Sequence, residues 1–138
     1  MKLSTLISDN VTEVLLKVIE FTQRRQKVLV ANVNNANSAD FLPRDLDVEQ
    51  FCHSINTAID EHLRSGWLIL RDTENIKFGR RGSFEAKAFV DTDAEQLRLQ
   101  DPQKYLKLQA KKLLENSRDQ KMAAGLLREK QGTTSVYE

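Results

Sequence analysis

Apolar positions recur every three or four residues at both ends of this chain, and the middle is punctuated by short alternating runs. Val11, Val14, Leu15, Val18, Phe21, Arg25, Val28, Leu29 and Asn32 form one such series, which predicts a long helix with a narrow seam. Asn10 is placed to cap it, with Glu13 three residues on. Asn32, Asn34, Asn35 and Asn37 predict its end between Asn35 and Ser38, because asparagine offers the backbone alternatives to helical pairing. Residues 38–47 read as extended, since Pro43 removes a donor and biases Leu42 away from the helical region. A second helix is predicted over 47–65. Asp47 and Gln50 form its cap pair, Phe51, Ile55, Ile59 and Leu63 line one face, and Gly66 follows the last turn.

Beyond it, Trp67, Leu68, Ile69 and Leu70 read as a short strand. Ile76, Lys77 and Phe78 face the run from Phe84 to Val90 across Gly79-Arg80-Arg81-Gly82, which predicts a hairpin. A preliminary turn from Thr92, with Glu95 three on, leads to the last helix, which opens with Asp101 as cap and Pro102 at its first position. Its predicted seam is Leu106, Ala110, Leu113, Ser117, Gln120, Ala124 and Leu127, ending at Gly132-Thr133-Thr134. From 102 to 131 that helix would span roughly 45 Å. The expected fold is therefore mainly α. Long terminal helices pair as a coiled-coil-like hairpin, and a small β element projects from the middle. In segments, this gives an N-terminal helix over 1–37, an arm and short helix over 38–66, the β element over 67–92, and the C-terminal helix and tail over 93–138. Both seams are narrow and carry polar residues, which points to a chain completed by partner helices.

Composition changes this picture little. Charged residues make up 30% and hydrophobic ones 40%, with five Gly and two Pro, a balance that suits helices. Net charge is +1, from 21 basic against 20 acidic residues, so there is no bulk field to draw in nucleic acid or an anionic membrane. No stretch approaches the ~20 apolar residues of a membrane span, and Met1 to Ile7 has one basic residue and no apolar run of signal-peptide length. The expectation is a chain made without a cleaved leader and without direct membrane insertion. Cys52 is the lone cysteine and reads as a packed apolar residue.

The segment from Arg25 to Asp47 narrows the reading. It carries Arg-Gln at 25 and 26, Leu29, asparagines at 32 and 35, Ala36, and Arg-Asp-x-Asp from 44 to 47. This spacing resembles the signature of flagellar basal-body rod proteins, and is similar above all to the proximal-rod type. Val33, Ser38 and Phe41 are conservative replacements within it. Ala39 and Asp40 stand where that family has Pro-Gly. In the C-terminal helix, Leu114-Glu115-Asn116-Ser117 and Leu126 to Lys130 resemble the family more loosely. The resemblance implies an architectural, non-enzymatic subunit with no cofactor, forming a homo-oligomer with other rod subunits and basal-body proteins in the periplasmic rod. It implies an assembly motif of Arg25, Leu29, Asn32, Asn35, Ala36, Phe41, Arg44, Asp45 and Asp47, and helix packing through Leu106, Leu113, Asn116 and Leu127. It also implies delivery by the flagellar type III export gate, whose Phe-x-x-x-Asp element is matched by Phe41 and Asp45.

Other constellations carry less. Glu49, Cys52, His53 and His62 follow no structural-zinc spacing, and no catalytic triad or glycine-rich phosphate loop stands out. Arg80 and Arg81, beside Lys77 and Lys87, leave a second expectation open: a small nucleic-acid-binding regulator with a basic hairpin wing. A cytoplasmic helical adaptor is the third.

Overall fold

The computed structural model describes residues 3–80 and 83–137. Helix makes up 69% of the chain. The elements run α1 (Leu3–Asn34), β1 (Arg44–Leu46), α2 (Val48–Ser65), β2 (Ile76–Lys77), β3 (Glu85–Ala86), β4 (Ala88–Val90), α3 (Thr92–Gln100) and α4 (Pro102–Tyr137). The long terminal helices α1 and α4 pack against each other. They are antiparallel, since Asn32 meets Gln109 while Thr22 meets Asn116. The expected mainly α hairpin with a small central β element is the fold observed.

α1 begins at Leu3 rather than at Asn10. No Pro or Gly precedes Asn10, and extending an existing helix is easier than nucleating one, so Asn10 sits inside α1 and its amide lies 3.5 Å from His62 Nδ1. α4 likewise continues beyond Gly132 to Tyr137; a glycine inside a helix costs only about 1 kcal/mol. The short helix follows its signals closely. Asp47 caps α2 by accepting from the Gln50 N–H at 2.9 Å. Gly66 closes it at φ 80°, its N–H donating to the His62 carbonyl, in the left-handed geometry that glycine adopts without penalty.

The core lies where α2 and the β2–β3 hairpin meet one face of α1. Phe21, Leu46, Phe51, Ile55, Ile76, Phe78 and Phe84 form it. The Phe21 and Phe51 rings stack at 4.1 Å, and Phe84 meets both edge-on, a favoured aromatic geometry. Lys17 Nζ donates to the Phe78 carbonyl at 2.9 Å and Arg24 to the Phe84 carbonyl at 3.2 Å, pinning the hairpin to α1. Gly79 turns the hairpin at φ 58°, and a Cβ there would stand 2.8 Å from the Ser83 carbonyl oxygen. Arg81 and Gly82, the rest of the predicted tip, lie outside the described residues.

Two expectations for the middle are corrected. The predicted second arm divides at Lys87. Its first half pairs with β2 (Ile76 with Ala86), while its second half, β4, leaves the hairpin and pairs with β1 (Leu46 with Ala88, Arg44 with Val90). Trp67, Leu68, Ile69 and Leu70 form no strand: each of the two short sheets has two strands, and the segment pairs with neither. The segment instead returns from α2 to the hairpin, leaving Trp67 73% exposed.

Candidate assembly site

Where α1 ends, its last carbonyls lose their helical partners and the chain must reverse into the arm. Successive turns do this. The N–H groups of Ala36, Ser38 and Phe41 donate to the carbonyls of Val33, Asn35 and Ser38, and no non-glycine residue among those described has positive φ. Ala39 and Asp40 thus turn the chain without Pro-Gly. Arg98 from α3 completes the junction. Its guanidinium donates to the carbonyls of Ala36, Ser38 and Phe41 at 3.0–3.1 Å and is held by Glu95. The hydrogen bond from Arg98 keeps the Glu95 carboxyl below its ordinary range, against the opposing effect of burial.

Pro43 is buried at the foot of β1, where no ladder donor is needed; its carbonyl accepts from the Asp91 N–H. Asn32 then grips the first strand residue on both sides. Its amide donates to the Arg44 carbonyl at 2.7 Å and its oxygen accepts from the Arg44 N–H at 3.0 Å. Arg25 makes a two-pronged contact with Asp45, at 2.9 and 3.1 Å. Lys112 reaches in from α4 to Asp45 at 3.0 Å and to Asp91 at 2.8 Å. Burial raises the Asp45 carboxyl, but Arg25 and Lys112 outweigh it and hold the carboxyl below its ordinary range. Burial likewise works against the Lys112 charge, and the two carboxylates overcome it, raising the ammonium.

α4 completes the site with a polar face. Tyr105 donates to the Asn32 carbonyl at 2.9 Å, Gln109 accepts from the Asn32 amide at 3.0 Å, and Asn116 donates to the Thr22 carbonyl at 2.8 Å. Burial pushes the Tyr105 phenol up, so it remains a donor. Asp45, Asp91, Arg25 and Lys112 therefore tie α1, β1, the start of α3 and α4 into one network.

The motif residues from 25 to 47 converge on this junction. Leu29 is fully buried in the α1 seam. Asn35 turns its amide back to the Ala31 carbonyl, Ala36 and Phe41 offer carbonyls to Arg98, and Asp47 starts α2. Arg44 takes part through its backbone while its side chain is exposed. The C-terminal packing residues divide. Asn116 is buried and bonded, and Leu113 and Leu127 are half-buried, but Leu106 is 41% exposed. The inward face of α4 is displaced by one position from the expected seam. It runs through Tyr105, Gln109, Lys112, Asn116 and Ala123, because the partner face of α1 carries Arg25 and Asn32 and selects polar groups able to satisfy them. That complementarity, together with the cap signal of Asp91, is the clue to Tyr105, Gln109, Lys112 and Asp91; no such signal marks Arg98, whose partners are backbone carbonyls.

Elsewhere, Lys77, Arg80 and Lys87 are exposed around the hairpin, with the Lys87 ammonium 5.6 Å from the Phe89 ring centre. Cys52 is exposed rather than packed, because it lies one residue past Phe51, off the inward face of α2. Among the described residues no group of three His, Cys, Asp or Glu is placed to hold a metal ion. No helix there is long and apolar enough to cross a membrane. No protein-family model, curated protein or solved structure matches the chain.

Proposed function

We propose that this chain is an architectural subunit of the bacterial flagellar rod, of the proximal type, which works by packing its helices against neighbouring subunits. In this reading its role is non-enzymatic and calls for no cofactor. It reaches the periplasmic rod near the inner-membrane ring through the flagellar type III export gate, and there helps transmit torque. One observation carries the reading: the residues that resemble the rod signature form the hydrogen-bonded junction where the first helix hands over to the arm. A segment selected for that handover has a structural reason for its Arg25, Asn32 and Asp45 side chains and for their spacing.

In the folded chain Phe41 is half-buried and the Asp45 carboxylate is engaged by Arg25 and Lys112. A gate that reads these two residues therefore meets the chain before α4 closes on α1. The test is a secretion reporter fused after residue 50. Its export depends on the flagellar export machinery and falls when Phe41 and Asp45 are replaced together by alanine. A reporter retained in the cytoplasm in both forms overturns export and favours the adaptor. Salt-sensitive DNA binding that is lost on replacing Arg80 and Arg81 would instead favour the nucleic-acid regulator.

A further inference from the structure

α2 and the C-terminal half of α4 both run antiparallel to α1 and flank it without closing over it. Phe51 stacks on Phe21 and His62 reaches Asn10, while Asn116 meets Thr22. Between them lies an open groove of about 330 Å³. Its floor is Leu15, Val18 and Phe21, and its walls include Cys52 and Ile55 on one side and Met122 and Leu126 on the other. Met122 is 66% and Leu126 47% exposed. The α2 wall continues through Ile59 and Leu63, 37% and 77% exposed, at helical spacing from Cys52. Three helices here present the apolar trough that a fourth would fill.

The rim is acidic. Asp119 lines the groove opposite Cys52, whose thiol is raised by burial and by that carboxylate. Glu49 and Asp60 lie one turn from the groove residues Cys52 and Asn56, and Glu115 one turn from Asp119. The complementary surface is on the same chain. On the outer flank of α4, Leu106 and Leu114 are 41% and 54% exposed with Ala110 between them, and Lys107, Lys111 and Arg118 stand exposed alongside. That ridge, from 106 to 118, is about 18 Å long, and the α2 wall from 52 to 63 is about 16 Å.

We infer that the groove between α2 and α4 receives the outer α4 ridge of a second copy of this chain, linking molecules head to tail. Groove and ridge are separate surfaces, so each molecule offers one of each. A contact of this kind repeats without closing on itself unless the rotation forms a ring. The inference rests on the assembly reading above and gives that assembly a polarity and a contact surface.

The test uses the full chain, in which Cys52 is the lone cysteine and marks the groove. An L114C chain that retains Cys52 cross-links under mild oxidation into a ladder of dimers, trimers and higher species. A C52S/L114C chain mixed with the unaltered chain gives cross-linked heterodimers only. Circular dichroism checks that each variant keeps its helix content. Asp119→Lys weakens association about fivefold, as one exposed ion pair would, and so does Lys111→Glu; mixing these two variants restores a heterodimer. Monomers throughout, or dimers formed by C52S/L114C alone through a ridge-to-ridge contact, overturn the inference. A monomeric result in a chain whose deletion removes the rod would reject this contact and leave the rod reading standing. Ladders from a chain whose deletion leaves the rod intact would do the reverse.

Discussion

The two faces of α1 are filled by opposite means. Toward α2 and the hairpin, Phe21, Phe51, Phe78 and Phe84 exclude water and stack. Toward α4, the buried groups are Asn32, Gln109, Asn116 and the Tyr105 phenol, each placed by a hydrogen bond. Apolar burial supplies most of the stabilisation but tolerates rearrangement among hydrophobes of similar size. A buried polar contact adds less net energy, yet it is costly to misplace, because a slipped register leaves donors and acceptors unpaired. One face of α1 holds α2 and the hairpin; the other grips the arm and fixes how α4 lies along it. In the proposed assembly, where helices meet neighbours in a set order, the second property matters as much as the first.

Breaking the aromatic face should have the largest effect. Phe84→Ala removes a ring that is 1% exposed and touches three other rings, and denaturant unfolding should show a loss of about 3–5 kcal/mol. A loss below about 1 kcal/mol would mean that the hairpin contributes little to holding α2. Next comes Asn32→Leu. It keeps an apolar filler but strands the Arg44 N–H and carbonyl, so the expected loss is about 2–4 kcal/mol, with faster amide exchange at Leu46 and Ala88. Tyr105→Phe deletes one buried donor and should cost about 1 kcal/mol. Gln109→Met is the finest probe. Gln109 Oε1 accepts from Asn32, while its Nε2 is buried with no partner among the described residues, so removing the whole amide sets the lost Asn32 bond against relief of the unpaired nitrogen and should change stability by less than about 1 kcal/mol; a larger loss would mean that the Asn32 bond dominates.

Acid and base separate the ionic part of the network from the rest. The folded Asp45 carboxyl lies below its ordinary value. Its contribution is therefore present above about pH 4 and lost as pH falls through the folded value. Lys112 is raised, so its contribution is present below about pH 10.4 and lost as pH rises through the folded value. Stability should be level between about pH 5 and 9 and fall on both sides. Lys112→Met should flatten the alkaline fall and make the acid one shallower. An unchanged pH profile in that variant would count against the network.

Much of this architecture is legible in the sequence because it rests on local signals. Asp47, Gly66, Asp101 and Pro102 mark helix ends by their own chemistry, and the phenylalanines announce the apolar face. The spacing of Arg25, Asn32 and Asp45 marks a junction before its contacts are known. What the sequence conceals is non-local. β4 takes its partner far back in the chain, with Leu46 opposite Ala88, 42 positions apart, and nothing within its own run distinguishes that from continuing the hairpin. The inward face of α4 is chosen by polar matching to α1, whereas a hydrophobic count selects the neighbouring row through Leu106 and Leu113. Arg98 could not be assigned from the pattern, because its partners are backbone carbonyls exposed by a turn.

The most direct measurement is deletion of this chain's coding sequence in the cell that makes it, followed by imaging of the flagellar basal body. The account predicts membrane rings without rod or hook, restored by the intact chain and restored poorly by the Asn32→Leu form. Complete rods and hooks in the deletion strain would contradict it.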